Sequence, residues 1–376
     1  MAYFDNAATT YPKPDCVYDF MDSFYRSSGA NAGRGNYKLA QSAGALIGDT
    51  RKKIQELLHC QAKQVVFEPT ATIALNIIEK GAVNIYISPF EHNAVTRTLH
   101  HFEEQGKIKV TQLTVSKDMV YDLEKIRYQF DTFKPDFVIV SHASNVFGLI
   151  APVEDIFALA KKYEAITLVD MAQTAGLVDL NVGLTTIDFA VFAGHKTLYG
   201  PTGISGFVMN PLVKFPAVIF GGTGYESANQ DMPEDLPQKY EMGTLNIAGI
   251  AGLNAALGWS AQVTIDAIRE KEAENRKKLI DLLGRYSYIK IIGNYDSCNY
   301  VGIVSCIIEG ISSDSAGPVF DRCGIAVRTG LQCAPLAHQF IGTFPAGTIR
   351  FSVNYFTTDK DFEELEEALD YIDSEL

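Results

Sequence analysis

Between residues 39 and 210, short runs of β-branched and aromatic residues alternate with longer stretches whose apolar positions recur near the helical period. The runs QVVFE (64–68), NIYIS (84–88), KVTQLTV (109–115), DFVIVSH (136–142), ITLVDM (166–171), FAVFAG (189–194) and GISGFVM (203–209) predict strands. TATIALNIIEKG, NAVTRTLHHFEEQG and VEDIFALAKKYE, set between them, predict helices. Strands that alternate with helices build a mostly parallel sheet covered on both faces, so the expected class is α/β. In such sheets the ligand sits beyond the carboxyl ends of the strands, where loops carry the chemistry.

After about residue 260 the pattern changes. IDAIREKEAENRKKLIDLLGRY (265–286) predicts a long charged helix, followed by strands at YIKII, VGIVSCII, IAVRTG and TIRFSVNYF. A closing helix places Phe362, Leu365, Leu369 and Ile372 on one face, and Thr358 with Asp361 has the spacing of a capping box. This second region reads as α+β. At 376 residues the chain is long for one core. The expected division is a large domain over 15–260 and a smaller one built from 1–14 and 261–376, without a repeat or low-complexity linker between them.

Composition narrows the function classes. With 47% apolar and 20% charged residues the chain is an ordinary globular one, and it contains no apolar run of the roughly 18 residues that span a bilayer. Its start, MAYFDNAATTYPKPD, lacks the features of a signal peptide, so the expected location is the cytoplasm. A net charge of −13 argues against a nucleic-acid partner. The six cysteines contain no CxxC pair, which argues against zinc and against a disulfide framework; most are expected to be core filler.

Four polar residues fall at predicted strand ends: His92, Asn145, Asp170 and Lys196. Each alone has a plain structural reading, Asp170 as a helix cap, His92 as a solvated loop residue and Asn145 as part of a turn. Together, on the ligand edge of one sheet, they match the needs of pyridoxal phosphate (PLP). That cofactor takes a lysine for its Schiff base and an aspartate beside its pyridine nitrogen. His92 has a ring that can stack, Gln173 can reach the ring hydroxyl, and Ala71 and Thr72 open a predicted helix that can receive the phosphate with help from His195.

The segments FDNAATTYPKP, FEPTATIALN, EHN, SNVFG, LVDMAQTAG, GHKTLYGPTG, YEMGTLN and RTGLQCAPLAH…GTIRFSVNYFTT resemble, in order and over nearly the whole chain, class V aminotransferase-fold enzymes. Within that group they are most similar to cysteine desulfurases of the SUF-like (group II) branch. The resemblance implies a fold-type I PLP-dependent transferase, a homodimer, L-cysteine as substrate and a possible sulfur-acceptor protein, and leaves open whether the pathway is iron–sulfur cluster assembly or another. It implies Lys196 as the Schiff-base lysine, Asp170 as the pyridinium partner, His92 as the stacking residue, and Asn145 and Gln173 near the ring hydroxyl. It further implies phosphate contacts from Thr72 and His195, with Thr244 reaching across from a second subunit. Arg350 would bind the substrate carboxylate, and Cys333 would take the sulfur as a persulfide while alanine leaves.

Cys333 has two readings from its residues alone: a buried small hydrophobe, or a loop thiol, the latter fitting the neighbours Gly330, Gln332, Pro335 and His338. Arg328 and His338 are the nearby groups able to stabilise a thiolate. The chain departs from the resembled branch at Leu331 and Gln332, where two histidines are usual, at Thr70, where glycine is usual, and at Ile73. Alternatives on the same scaffold are a cysteine or selenocysteine lyase and an aminotransferase. A nucleotide-binding sheet protein is disfavoured because GRGNYKLA (33–40) has the wrong spacing, and a non-catalytic interaction module because the lysine, aspartate and arginine are all kept.

Overall fold

The computed structural model describes residues 1–32, 35–78 and 83–375. The end of TATIALNIIEKG (79–81) and the start of GRGNYKLA (33–34) lie outside them. The chain opens with strand β1 (Ala2–Tyr3) and helices α1 (Asp15–Ser28) and α2 (Lys38–Leu57). There follow β2 (Gln64–Glu68), α3 (Ala71–Ile78), β3 (Asn84–Ile87), α4 (Asn93–Glu104), β4 (Lys109–Gln112), α5 (Leu123–Thr132), β5 (Phe137–Ser141), α6 (Val153–Lys161), β6 (Ile166–Asp170), β7 (Phe189–Ala193) and β8 (Ser205–Met209). These strands form one seven-stranded sheet in the order β2-β8-β7-β6-β5-β3-β4. All neighbours are parallel except β8, which runs antiparallel between β2 and β7. Strands β5, β7 and β8 are buried at every position, which explains their unbroken apolar runs.

The rest of the chain comprises α7 (Ile247–Val263), α8 (Ile265–Leu283), β9 (Ile289–Ile292), β10 (Ile303–Ile308), α9 (Ser313–Arg322), β11 (Ile325–Ala326), β12 (Arg328–Gly330), α10 (Pro335–Ile341), β13 (Thr348–Ser352) and α11 (Asp359–Glu375). A second sheet, β12-β13-β10-β9, is antiparallel. The run IAVRTG, expected as one strand, is divided: β11 pairs in parallel with β1, and β12 pairs with β13. The capping box is present, since Asp361 accepts from the Thr358 N–H at 2.7 Å and Thr358 Oγ1 accepts from the Asp361 N–H at 3.3 Å.

Two packing features position the site. Helix α7 is apolar on nearly all faces and lies between α1, α2 and the large sheet's core. Tyr199, three residues after Lys196, packs on Trp259 of α7 and on Phe356, and its hydroxyl accepts from the Tyr355 N–H at 3.2 Å. This aromatic cluster ties the lysine turn to the second sheet. Among the described residues no helix is long and apolar enough to cross a membrane.

Candidate active site

The turn after β7 carries Lys196, and its glycines answer a steric demand. A Cβ on Gly194 would lie 2.4 Å from the Ile204 carbonyl oxygen, and one on Gly200 would lie 2.8 Å from that of Gly194. The turn closes through Gly200 N–H to Gly194 C=O at 2.8 Å and Tyr199 N–H to Lys196 C=O at 2.8 Å. Lys196 is half-buried. Burial lowers its amine to about 8, Asp170 opposes this, and the Arg350 guanidinium adds to it.

Around Lys196 lies a cavity of about 290 Å³ lined by Thr70, Ala71, Thr72, His92, Asn145, Asp170, Gln173 and His195. The strand ends thus bring Ala71, Thr72, His92, Asn145, Asp170, Gln173 and His195 round Lys196. Asp170 ends β6 and accepts from the Ala172 N–H at 2.9 Å; burial raises its carboxyl, while that hydrogen bond and Lys196 pull it back. His92 caps α4, its Nδ1 accepting from the Ala94 N–H at 3.0 Å, so it is no free loop residue. Burial, Lys196 and Arg350 lower its imidazole to about 4, so the ring is neutral near pH 7. Gln173 Nε2 donates to the Ala7 carbonyl at 3.0 Å.

The cavity fits a phosphate-bearing ring. His195 Nδ1 is buried and has no hydrogen-bond partner among the described residues. Burial, with Lys196, holds this imidazole at about 4. Opposite, α3 begins at Ala71, leaving its first N–H groups for an anion. Thr70 stands in place of the usual glycine and caps that helix, its hydroxyl accepting from the Ile73 N–H at 3.3 Å.

Arg350, on β13, is 3% exposed. Its Nη2 donates to Asp5 at 2.7 Å and its Nη1 to the Asn145 carbonyl at 2.9 Å; its Nε is buried without a partner among the described residues. Cys333 is exposed, which rules out the core reading of this thiol. It lines a neighbouring cavity of about 800 Å³ with Arg97, Arg328 and Gln332, and lies close enough to raise both the Lys196 and Arg350 groups electrostatically. Asn145 joins the two cavities, its Nδ2 donating to the Gln332 carbonyl at 2.6 Å.

Two expectations are corrected. His338 is fully buried and turned to Thr343 and Gln332, so it does not face the thiol; burial holds it at about 4. Of the six cysteines only Cys60 and Cys306 are buried, because the others lie on helices and loops at the surface or half-buried. Thr244, expected from a second subunit, is exposed and lines a separate cavity with Arg51, Gln238 and Glu241. Sequence reasoning missed Asp5, the partner of Arg350, and Arg97 beside Cys333. Asp5 lies 345 residues from Arg350, beyond any local signal. Arg97 follows Asn93 by one helical turn, a spacing that places both on one face.

Comparison with known proteins places this arrangement. The family model described as aminotransferase class-V matches residues 2–365. A probable cysteine desulfurase of Halalkalibacterium halodurans is 30% identical, over 98% of this chain and 92% of its own length. One of Methanothermobacter thermautotrophicus is 29% identical, over 98% and 94%. Among solved structures, the apo cysteine desulfurase of Thermococcus onnurineus superposes with a TM-score of 0.87 at 26% identity, covering all of this chain and 95% of that one. The cysteine desulfurase CsdA of Escherichia coli, in an S-sulfonic acid form, gives 0.87 at 25%, with the same coverage.

Proposed function

This chain belongs to the class-V aminotransferase family, and from that premise we propose that it is a PLP-dependent cysteine desulfurase converting L-cysteine to L-alanine, with the sulfur passing to Cys333. The observation that carries the reading is the meeting of Lys196, Asp170, His92 and His195 round one cavity, with Cys333 across Asn145 from it.

The cofactor's ring, when bound, supplies an electron sink for negative charge at the substrate's α-carbon. Asp170 would hold the ring nitrogen, His92 would cover the ring face as a neutral imidazole, and His195, Thr72 and the α3 N–H groups would hold the phosphate. Asn145 and Gln173, which line the same cavity, would meet the ring hydroxyl. Arg350 offers its fork to the substrate carboxylate, held in place by Asp5 and the Asn145 carbonyl. With an amine near 8, Lys196 Nζ can take a proton from the α-carbon and return one. The Cys333 thiolate then donates a pair to the substrate sulfur. The S–S bond forms as the C–S bond breaks, the bonding pair stays with carbon, and protonation there gives alanine.

Thr244, exposed beside its own cavity, is proposed to reach the phosphate of a second copy in a homodimer. The persulfide sulfur would pass to an acceptor protein for iron–sulfur assembly in the cytoplasm. The test is product analysis with L-cysteine and a reductant, quantifying alanine, sulfide and pyruvate together. Equal alanine and sulfide is the expected outcome; pyruvate with sulfide would replace the desulfurase reading with a β-lyase.

A further inference from the structure

Gln332 and Cys333 both have positive φ, +42° and +59°. Side chains other than glycine keep that conformation only where their surroundings over-determine it. The holding contacts converge on Gln332, whose side chain is buried beneath the loop. Its Nε2 donates to the Thr348 carbonyl at 2.9 Å, which settles the amide's orientation and leaves Oε1 as an acceptor. His338 Nε2, 2.9 Å from that Oε1, must therefore carry the proton, and Nδ1 accepts from the Thr343 hydroxyl at 2.7 Å. His338 and Thr348 are both fully buried, so this anchor is shielded from water.

The backbone of the same two residues is tied on the other side. The Gln332 carbonyl accepts from Asn145, whose own carbonyl accepts from Arg350. The Cys333 carbonyl accepts from the Asn93 N–H at 2.7 Å, next to His92, and the Ala334 N–H donates to the Leu331 carbonyl at 2.8 Å.

We propose that Gln332 is a positioning residue: its amide, wedged between His338 and Thr348, locks the left-handed pair and sets the direction in which Cys333 Sγ is offered. Its carbonyl links that setting, through Asn145, to the arginine that holds the substrate. The role rests on the reading of Cys333 as the nucleophile. A glutamine can donate to Thr348 and accept from His338 at once.

Two holoenzyme variants test it. Gln332→Gly leaves positive φ unstrained and removes the wedge, whereas Gln332→Met keeps length and volume and removes both hydrogen bonds. In both, the single-turnover rate of alanine formation should fall about tenfold, with KM for L-cysteine within about twofold and the cofactor absorbance unchanged. Hydrogen exchange at the Asn93 and Ala334 amides should quicken at least about tenfold, a readout independent of turnover and one that Gln332→Gly gives even where Gln332→Met does not fold. A parental alanine rate in Gln332→Gly overturns the positioning role. Cys333→Ala, run beside them, separates the two readings. Loss of alanine formation there with unchanged Gln332→Gly defeats positioning alone, whereas a parental rate in Cys333→Ala defeats the nucleophile reading and positioning with it.

Discussion

Arg350 shows how a residue's chemistry is set by contacts that lie far away in sequence. Its fork is shared between Asp5 and the Asn145 carbonyl, leaving a buried Nε without a partner among the described residues. Burial lowers its guanidinium, and Asp5 opposes that. A group so held would meet the substrate carboxylate proposed for it without reorganising. Arg350→Ala is therefore expected to raise KM for L-cysteine about 10- to 100-fold, the worth of a charge-assisted hydrogen bond, while the cofactor absorbance survives. Lost absorbance with unchanged KM would move Arg350 from the substrate to the cofactor. The sequence located Arg350 and Lys196 but not the state of either. Burial lowers the Lys196 amine to about 8 and Arg350 adds to this, while Asp170 and Cys333, from other segments, act against it. His338 shows the converse: it lies five residues from Cys333 in sequence, yet its ring turns to Thr343 and Gln332.

At the scale of elements, periodicity was legible in several helices with one face toward solvent, though α1, equally two-faced, was not predicted. Helices α4, α6 and α8 lie where their patterns predicted. Helix α7 escaped notice because it is apolar nearly all round and has no polar face to set a period. The run IAVRTG could not announce its division, since each half satisfies a different sheet edge. The glycines about Lys196 had a visible composition and an invisible reason. A Cβ on Gly194 would meet the Ile204 carbonyl oxygen, part of the backbone with no freedom to swing aside. Gly194→Ala is thus expected to cost about 1–3 kcal/mol in denaturant unfolding and to weaken cofactor retention, by shifting the turn that carries Lys196. An unchanged unfolding midpoint would show that the 194–204 turn yields without cost.

For the molecule as a whole, stability carries a pH dependence that arises where distant segments meet. Glu68, at the end of β2, is 3% exposed, and its Oε1 has no partner among the described residues. Nearby Glu241 pairs with Arg51 at 2.6 Å and accepts from the Phe67 N–H at 2.8 Å. Burial, with the charge of Glu241, raises the Glu68 carboxyl to about 8. The folded state keeps this proton after the unfolded chain has lost it near the ordinary value of 4.5, so the stabilisation present below that pH is lost as pH rises toward 8. Glu68→Gln should match the parent near pH 4.5 and exceed it at pH 8. The gap should widen by up to about 1.4 kcal/mol per pH unit, read from urea unfolding at several pH values. A constant gap would mean that Glu68 is ionised in the folded protein.

The sequence by itself determined the layered sheet and the strand ends on which Lys196, Asp170, His92 and Asn145 stand, because alternation of apolar and polar positions is a local property. Family membership was legible in ordered motifs for the same reason. The tertiary structure decided which groups are charged, which are held and which face one another. Only there do Asp5 meet Arg350, Glu241 meet Glu68, and Gln332 find His338 and Thr348. Burial and Coulomb interactions depend on distance in space, and the chain's order does not record that distance.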